Sequence, residues 1–197
     1  MEVEDRPWVV LDNAVPILVD VEDVGVAITL HLFAKNIGHS PAENVYARGD
    51  VYRTLSMTDY RAAAERACHT TTPDGLSFLQ TLLLPGESGE VEDGDFIINM
   101  NDIRRDRAVE IAQSNIYPAV REEEAREPLR GEFTVVGCIS YSYPGAPSLG
   151  QTPFILDVYE KCISILGGEC TFDLSQRRLY QGGEIGIQSI RTSLFAN

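Results

Sequence analysis

The sequence predicts a mainly β protein, an immunoglobulin-like β-sandwich with two inserted helices, with a small β-barrel as the alternative architecture. Three observations lead there. Short runs rich in β-branched and aromatic residues recur along the chain, separated by Gly, Pro, Asn and Asp turn signals. One of these runs alternates through a whole strand length, and only two stretches have helical composition. No linker, internal repeat or low-complexity tract divides the 197 residues, so residues 1–197 read as a single domain.

Taken in order, residues 8–11 (WVVL) and 16–19 (PILV) read as two strands joined by an Asp12-Asn13 turn. Residues 24–36 place Val26, Ile28, Leu30 and Leu32 on one face, with Ala27, Thr29, His31 and Phe33 on the other. Residues 45–55 place Val45, Ala47, Gly49, Val51 and Arg53 opposite Tyr46, Arg48, Asp50 and Tyr52. Further strands are expected at 77–84, 95–99, 132–143, 154–166 and 170–174. Residues 58–67, rich in Ala, Glu and Arg, and residues 101–114, with Ile103, Ala108 and Ile111 at helical spacing, are the two helices. The run Glu122-Glu123-Glu124 before Pro128 reads as a solvated excursion.

Sixteen Lys and Arg stand against 30 Asp and Glu, a net charge of −14. With no basic cluster, a nucleic-acid backbone or an anionic lipid surface is excluded as the main partner, because phosphate needs cations. The longest apolar stretch, residues 24–34, falls well short of the ~20 residues that span a bilayer. The first ten residues lack the apolar core of a secretory signal. Cys68, Cys138, Cys162 and Cys170 form no C-x-x-C pair, so a zinc ribbon is unsupported. Cys162 and Cys170 flank a Gly-Gly turn across which a disulfide can form. Four buried free thiols are the plainer expectation.

Chemistry is sparse. His31, His39 and His69 are the only imidazoles, and no G-x-S-x-G elbow accompanies them. Strand surface accounts for His31 and a turn for His39. Adjacency of Cys68 and His69 does not make a catalytic pair. The acidic run 87–95 lacks the calcium-loop spacing and reads as a solvated hairpin turn. Residues 182–186 are a turn without the P-loop signature. No catalytic residue, metal ligand or cofactor is therefore expected.

Several short signatures do stand in a fixed order. They are Arg6-Pro7-Trp8, residues 36–42 (NIGHSPA), Leu84-Pro85-Gly86-Glu87, residues 137–141 (GCISY) and Gln151-Thr152-Pro153-Phe154. The set resembles the soluble domain of an uncharacterised family of bacterial membrane-anchored proteins with R-P-W, N-x-G-x-[ST]-P-A and G-C-x-x-Y motifs. The resemblance implies a tethered binding or scaffolding domain, with membrane contact only through a segment absent from this chain and on an undetermined side. Each motif also has a structural explanation. Asn36 and Gly38 are expected to take the positive φ of a strand exit, Pro85-Gly86 a type II turn, and Cys138 and Tyr141 buried strand positions.

The leading expectation is a non-enzymatic interaction domain that binds a protein or small-molecule ligand. A second is a ligand-sensing domain of an anti-phage membrane effector that recognises a signalling nucleotide. Its base would stack on Tyr46 and Tyr52 and its phosphate would pair with Arg48. A hydrolase using dispersed carboxylates is the third.

Overall fold

A computed structural model describes residues 6–54, 60–69, 81–113, 128–145, 148–162 and 169–189. Its strands are β1 (Val9–Val21), β2 (Gly25–Asn36), β3 (Ala42–Arg53), β4 (Thr81–Leu83), β5 (Ser88–Asn99), β6 (Arg130–Gly131), β7 (Phe133–Ser142), β8 (Gly150–Lys161), β9 (Glu169–Cys170), β10 (Phe172–Asp173), β11 (Arg178–Gln181) and β12 (Ile185–Ser189). Helix α1 (Tyr60–His69) follows β3, and α2 (Met100–Gln113) follows β5. One large sheet has the order β11-β1-β2-β5, the second runs β12-β8-β7-β3-β4 with β9 beside β8, and β10 and β6 form a separate two-stranded pair. All pairings are antiparallel, giving a mainly β sandwich of curled sheets with two inserted helices.

The alternation in β2 positions the core. Val26, Ile28, Leu30 and Leu32 are fully buried, and the opposite series Ala27, Thr29, His31 and Phe33 is half-buried. They meet Val135, Ile139, Leu156 and Val158 of the facing sheet in one cluster. Each such side chain withdrawn from water contributes about 1.5–3 kcal/mol. Below them Phe172 lies between Phe133 and Tyr180, with ring centroids 5.9 and 4.9 Å away. Strand β7 is buried on both faces because α1 lies across its outer side, seating Ala63 and Ala64 against Val136 and Ile155. Alanines let the helix backbone approach the sheet closely.

Several expectations are corrected. The two strands at 8–11 and 16–19 are one strand, β1, whose register against β2 shifts between Leu11 and Asn13 and between Pro16 and Leu18. The Asp12-Asn13 turn is thus a bulge, with Asn13 Oδ1 accepting from the Ala14 amide. The acidic hairpin expected at 87–95 is instead, from Ser88 on, the first part of β5, paired with β2 through one register shift at Leu32/Phe33. Charge along an edge strand discourages pairing with other chains. Within α2 only Ile103 of the expected stripe is fully buried; Ala108 is exposed. The expected excursion at 122–124, and parts of the expected strands 77–84 and 154–166, lie outside the described residues.

Arg53 ends the inward series of β3 and is buried. Its guanidinium donates to Glu110 of α2 at 3.0 Å and to the Arg130 carbonyl at 3.4 Å, tying the second helix and β6 to the sheet. Arg53→Ala is expected to cost about 3 kcal/mol, through the cavity and the stranded partners. Arg53→Met keeps the apolar stem and should cost less than half as much. Urea unfolding of both variants checks this, and equal losses would contradict it.

Candidate binding sites

At one end of the sandwich three of the sequence signatures converge on a single side chain. Asn36 is 0% exposed, and all of its amide is engaged. Its Oδ1 accepts from the Trp8 amide at 3.3 Å and the Gly38 amide at 3.0 Å. Its Nδ2 donates to the carbonyls of Ser40 at 2.8 Å and Leu83 at 3.0 Å. The Asn36 backbone adds bonds to Glu87 and from Gly86. Arg6-Pro7-Trp8, NIGHSPA and the Leu84-Pro85-Gly86-Glu87 turn are thereby locked together. Tyr141 of GCISY joins them by donating its hydroxyl to the Pro7 carbonyl at 3.4 Å, and burial raises its phenol pKa above the ordinary value.

The local conformations follow from this convergence. Pro85-Gly86 forms the expected turn, with Gly86 at φ 84° and the Glu87 amide bonded to the Leu84 carbonyl. Asn36 and Gly38, in contrast, do not take positive φ; Asn44, at 51°, is the one non-glycine that does among the described residues. Asn36 is needed for its side chain rather than for a turn. Gly38 is needed for space, since a Cβ there would collide with the Arg6 carbonyl and the Trp8 amide.

Over this buried polar centre lies an apolar rim. Trp8 is 58% exposed, Ile37 54% and Leu84 44%. Trp8 and Ile37 are cross-strand neighbours, joined by the Ile37 amide donating to the Trp8 carbonyl at 2.8 Å. Their strand neighbours Val9 and Asn36 point inward, so the two side chains stand together on the outer face.

The residues nominated for nucleotide stacking lie elsewhere. Tyr46, Arg48 and Tyr52 share the outer face of β3, as the alternation predicts, beside the face that α1 covers. Tyr46 is 7% exposed with the Arg48 guanidinium 5.8 Å from its ring centre, so its ring is enclosed. Tyr52 packs against the helix, and burial, then the nearby Asp50 charge, raises its pKa. Arg48 pairs in register with Cys138, which is bonded to Cys68 of α1. That disulfide overturns the expectation of free thiols. The Cys162–Cys170 bridge, open in the sequence, is also formed. Of the histidines, His31 lies 3.1 Å from Glu90 on the open face of β2.

A charged cleft of about 740 Å³ opens beside the second bridge. Arg130, Glu160, Lys161, Asp173, Arg178 and Glu184 line it with both cysteines. Arg178 stacks on the Tyr180 ring at 4.1 Å and donates to Glu184 at 2.9 Å. The Gln181 amide, then Arg178, holds the Glu184 carboxyl below its ordinary pKa; the Ser175 hydroxyl and amide do the same for Asp173, and Arg177 for Asp23. Groups depressed in the folded state stabilise it above the ordinary carboxylate range, and that stabilisation is lost as pH falls below it. Thermal unfolding against pH should therefore show an acid decline that is shallower in an Asp173→Asn, Glu184→Gln double variant. An unchanged slope would refute the assignment.

Among the described residues no group of His, Cys, Asp or Glu is arranged to hold a metal ion, and no helix is long and apolar enough to cross a membrane. No family model matches the chain, and no curated protein or solved structure matches it significantly. Sequence reasoning found the convergent signatures individually but missed that Asn36 joins them. It also missed the cleft, whose walls come from β6, β8, β9, β10 and β11.

Proposed function

We propose that this domain is a non-enzymatic binding module that presents Trp8, Ile37 and Leu84 to a protein partner. The observation that carries the reading is an exposed tryptophan held over a fully bonded asparagine. Tryptophan is prominent among the residues that dominate interface energies. A surface already ordered by hydrogen bonds avoids the entropy cost of ordering on binding. The strand order supports a recognition role more loosely. Strands β1-β2-β5 face β4-β3-β7-β8, the pattern A-B-E against C′-C-F-G of immunoglobulin-like sandwiches. Such a fold alone fixes no function, so the surface bears the weight. Two disulfides favour an oxidising compartment. Tethering beside a bacterial membrane belongs to the same proposal and rests on the motif resemblance.

The test places a photo-crosslinking amino acid at Ile37 in the producing cell. A discrete adduct that disappears in Trp8→Ala is expected, and the affinity of the identified partner should fall about thirtyfold with that substitution. An adduct pattern indifferent to Trp8→Ala, or no adduct, overturns the proposal. Because Trp8 is the sole tryptophan of the chain, its fluorescence also reports directly whether the purified partner covers it.

A further inference from the structure

The two disulfides occupy different settings. Cys68 is part-exposed at the end of α1, but its partner Cys138 is fully buried in the sheet. Cys162 and Cys170 are both part-exposed and both face the charged cleft. Its volume, about 740 Å³, lies in the range of small-molecule sites. Of the three acids lining it, Glu160 and Glu184 lie against Arg178 at 3.7 and 2.9 Å, and Asp173 accepts from the Ser175 amide and hydroxyl and also feels the charge of Arg130, its partner across the strand pair. Arg130 and Lys161 complete the lining as exposed cations.

From this geometry we infer that Cys162–Cys170 is a thiol–disulfide exchange site for small thiols bearing carboxylates, of the glutathione class. Cations beside a disulfide favour exchange in two ways. They attract the anionic thiol and hold its carboxylates. They also stabilise the cysteine thiolate that leaves, and a better leaving group leaves faster. In the first step the incoming thiolate bonds to one cysteine sulfur, the Cys162–Cys170 bond breaks, and the other sulfur departs as a thiolate. A second thiolate then attacks the sulfur of the small thiol in the mixed disulfide and releases the remaining cysteine. Two thiols become one disulfide, and the protein gains two electrons and two protons. Reduction removes the side-chain crosslink between the end of β8 and β9, which also meet in the Glu160–Cys170 and Lys161–Glu169 strand pairs.

The experiment treats the whole chain, purified without reductant, with graded glutathione, then alkylates and maps the cysteines by mass spectrometry. The expected result is a glutathionyl adduct and reduction confined to Cys162 and Cys170, with Cys68–Cys138 intact. An Arg130→Glu, Lys161→Glu variant should slow the reaction with glutathione about tenfold or more, and by a clearly larger factor than that with 2-mercaptoethanol, which has no carboxylates to be held and loses only the help given to the thiolates. Near-UV circular dichroism confirms that the variant is folded, and Arg130→Lys, Lys161→Arg should retain the original rate. Resistance of both bridges until denaturant is added, earlier reduction of Cys68–Cys138, or equal glutathione rates in the charge-reversed variant would each overturn the inference.

Discussion

Replacing Asn36 with Leu is expected to destabilise the domain by about 4 kcal/mol, although the two side chains differ little in size. The cost comes from the groups left behind. Asn36 satisfies two amides, of Trp8 and Gly38, and two carbonyls, of Ser40 and Leu83, around a side chain that is itself fully buried. A buried polar group deprived of its partner costs about 1–3 kcal/mol, and Leu offers none of the four a replacement. Asn36→Asp separates the two halves of the effect. Its carboxylate can still accept from both amides but faces two carbonyl oxygens. Burial and those oxygens favour the protonated acid, so the Asp variant should recover stability as pH falls and lose it as pH rises. Urea unfolding at neutral and mildly acidic pH measures both variants. A loss below about 1 kcal/mol for Asn36→Leu would mean that the convergence of motifs at this end is incidental.

What could be read beforehand, and what could not, divides by the range of the interaction. The alternation of Val26, Ile28, Leu30 and Leu32 is a local consequence of strand geometry, and the buried face of β2 follows from it. Pro85-Gly86 dictates its turn through one proline ring and one positive φ. The acidic stretch before Phe96 misleads because its local preference for a turn is overridden by pairing along the full length of β2. Asn36 misleads differently. A polar residue beside glycine reads as a turn, but its strand position turns the amide inward, where segments 28 residues before and 47 residues after it meet. Tyr46, Arg48 and Tyr52 were placed on the right face by alternation. Tyr52 is covered by α1, whose docking the periodicity of β3 cannot express.

The same logic governs the bridge that holds α1. Cys68 and Cys138 are 70 residues apart, and no local pattern links them. The helix sets Ala63 and Ala64, with Tyr60 packed beside them, against Val136 and Ile155, a contact in which the fully buried helix side chains are small. Its docking must therefore rely heavily on the disulfide and on the Gln151 side chain, which donates to the Cys68 carbonyl at 2.6 Å. A crosslink closing some 70 residues restricts the unfolded chain by about 4 kcal/mol, against about 2.5 kcal/mol for the eight-residue closure by Cys162 and Cys170. The expected result is that Cys68→Ala, Cys138→Ala lowers stability by about 4 kcal/mol, and lowers the unfolding midpoint by about 10 °C. Cys162→Ala, Cys170→Ala should cost visibly less. Hydrogen exchange should also show the amides of α1 opening before those of β7 in the first variant, because the helix then loses its covalent tie to the sheet. If the two pairs of substitutions cost the same, or if α1 stays protected without its bridge, the helix is held by packing alone. Tyr52, on the outer face of β3, would then stay packed against the helix whatever the redox conditions.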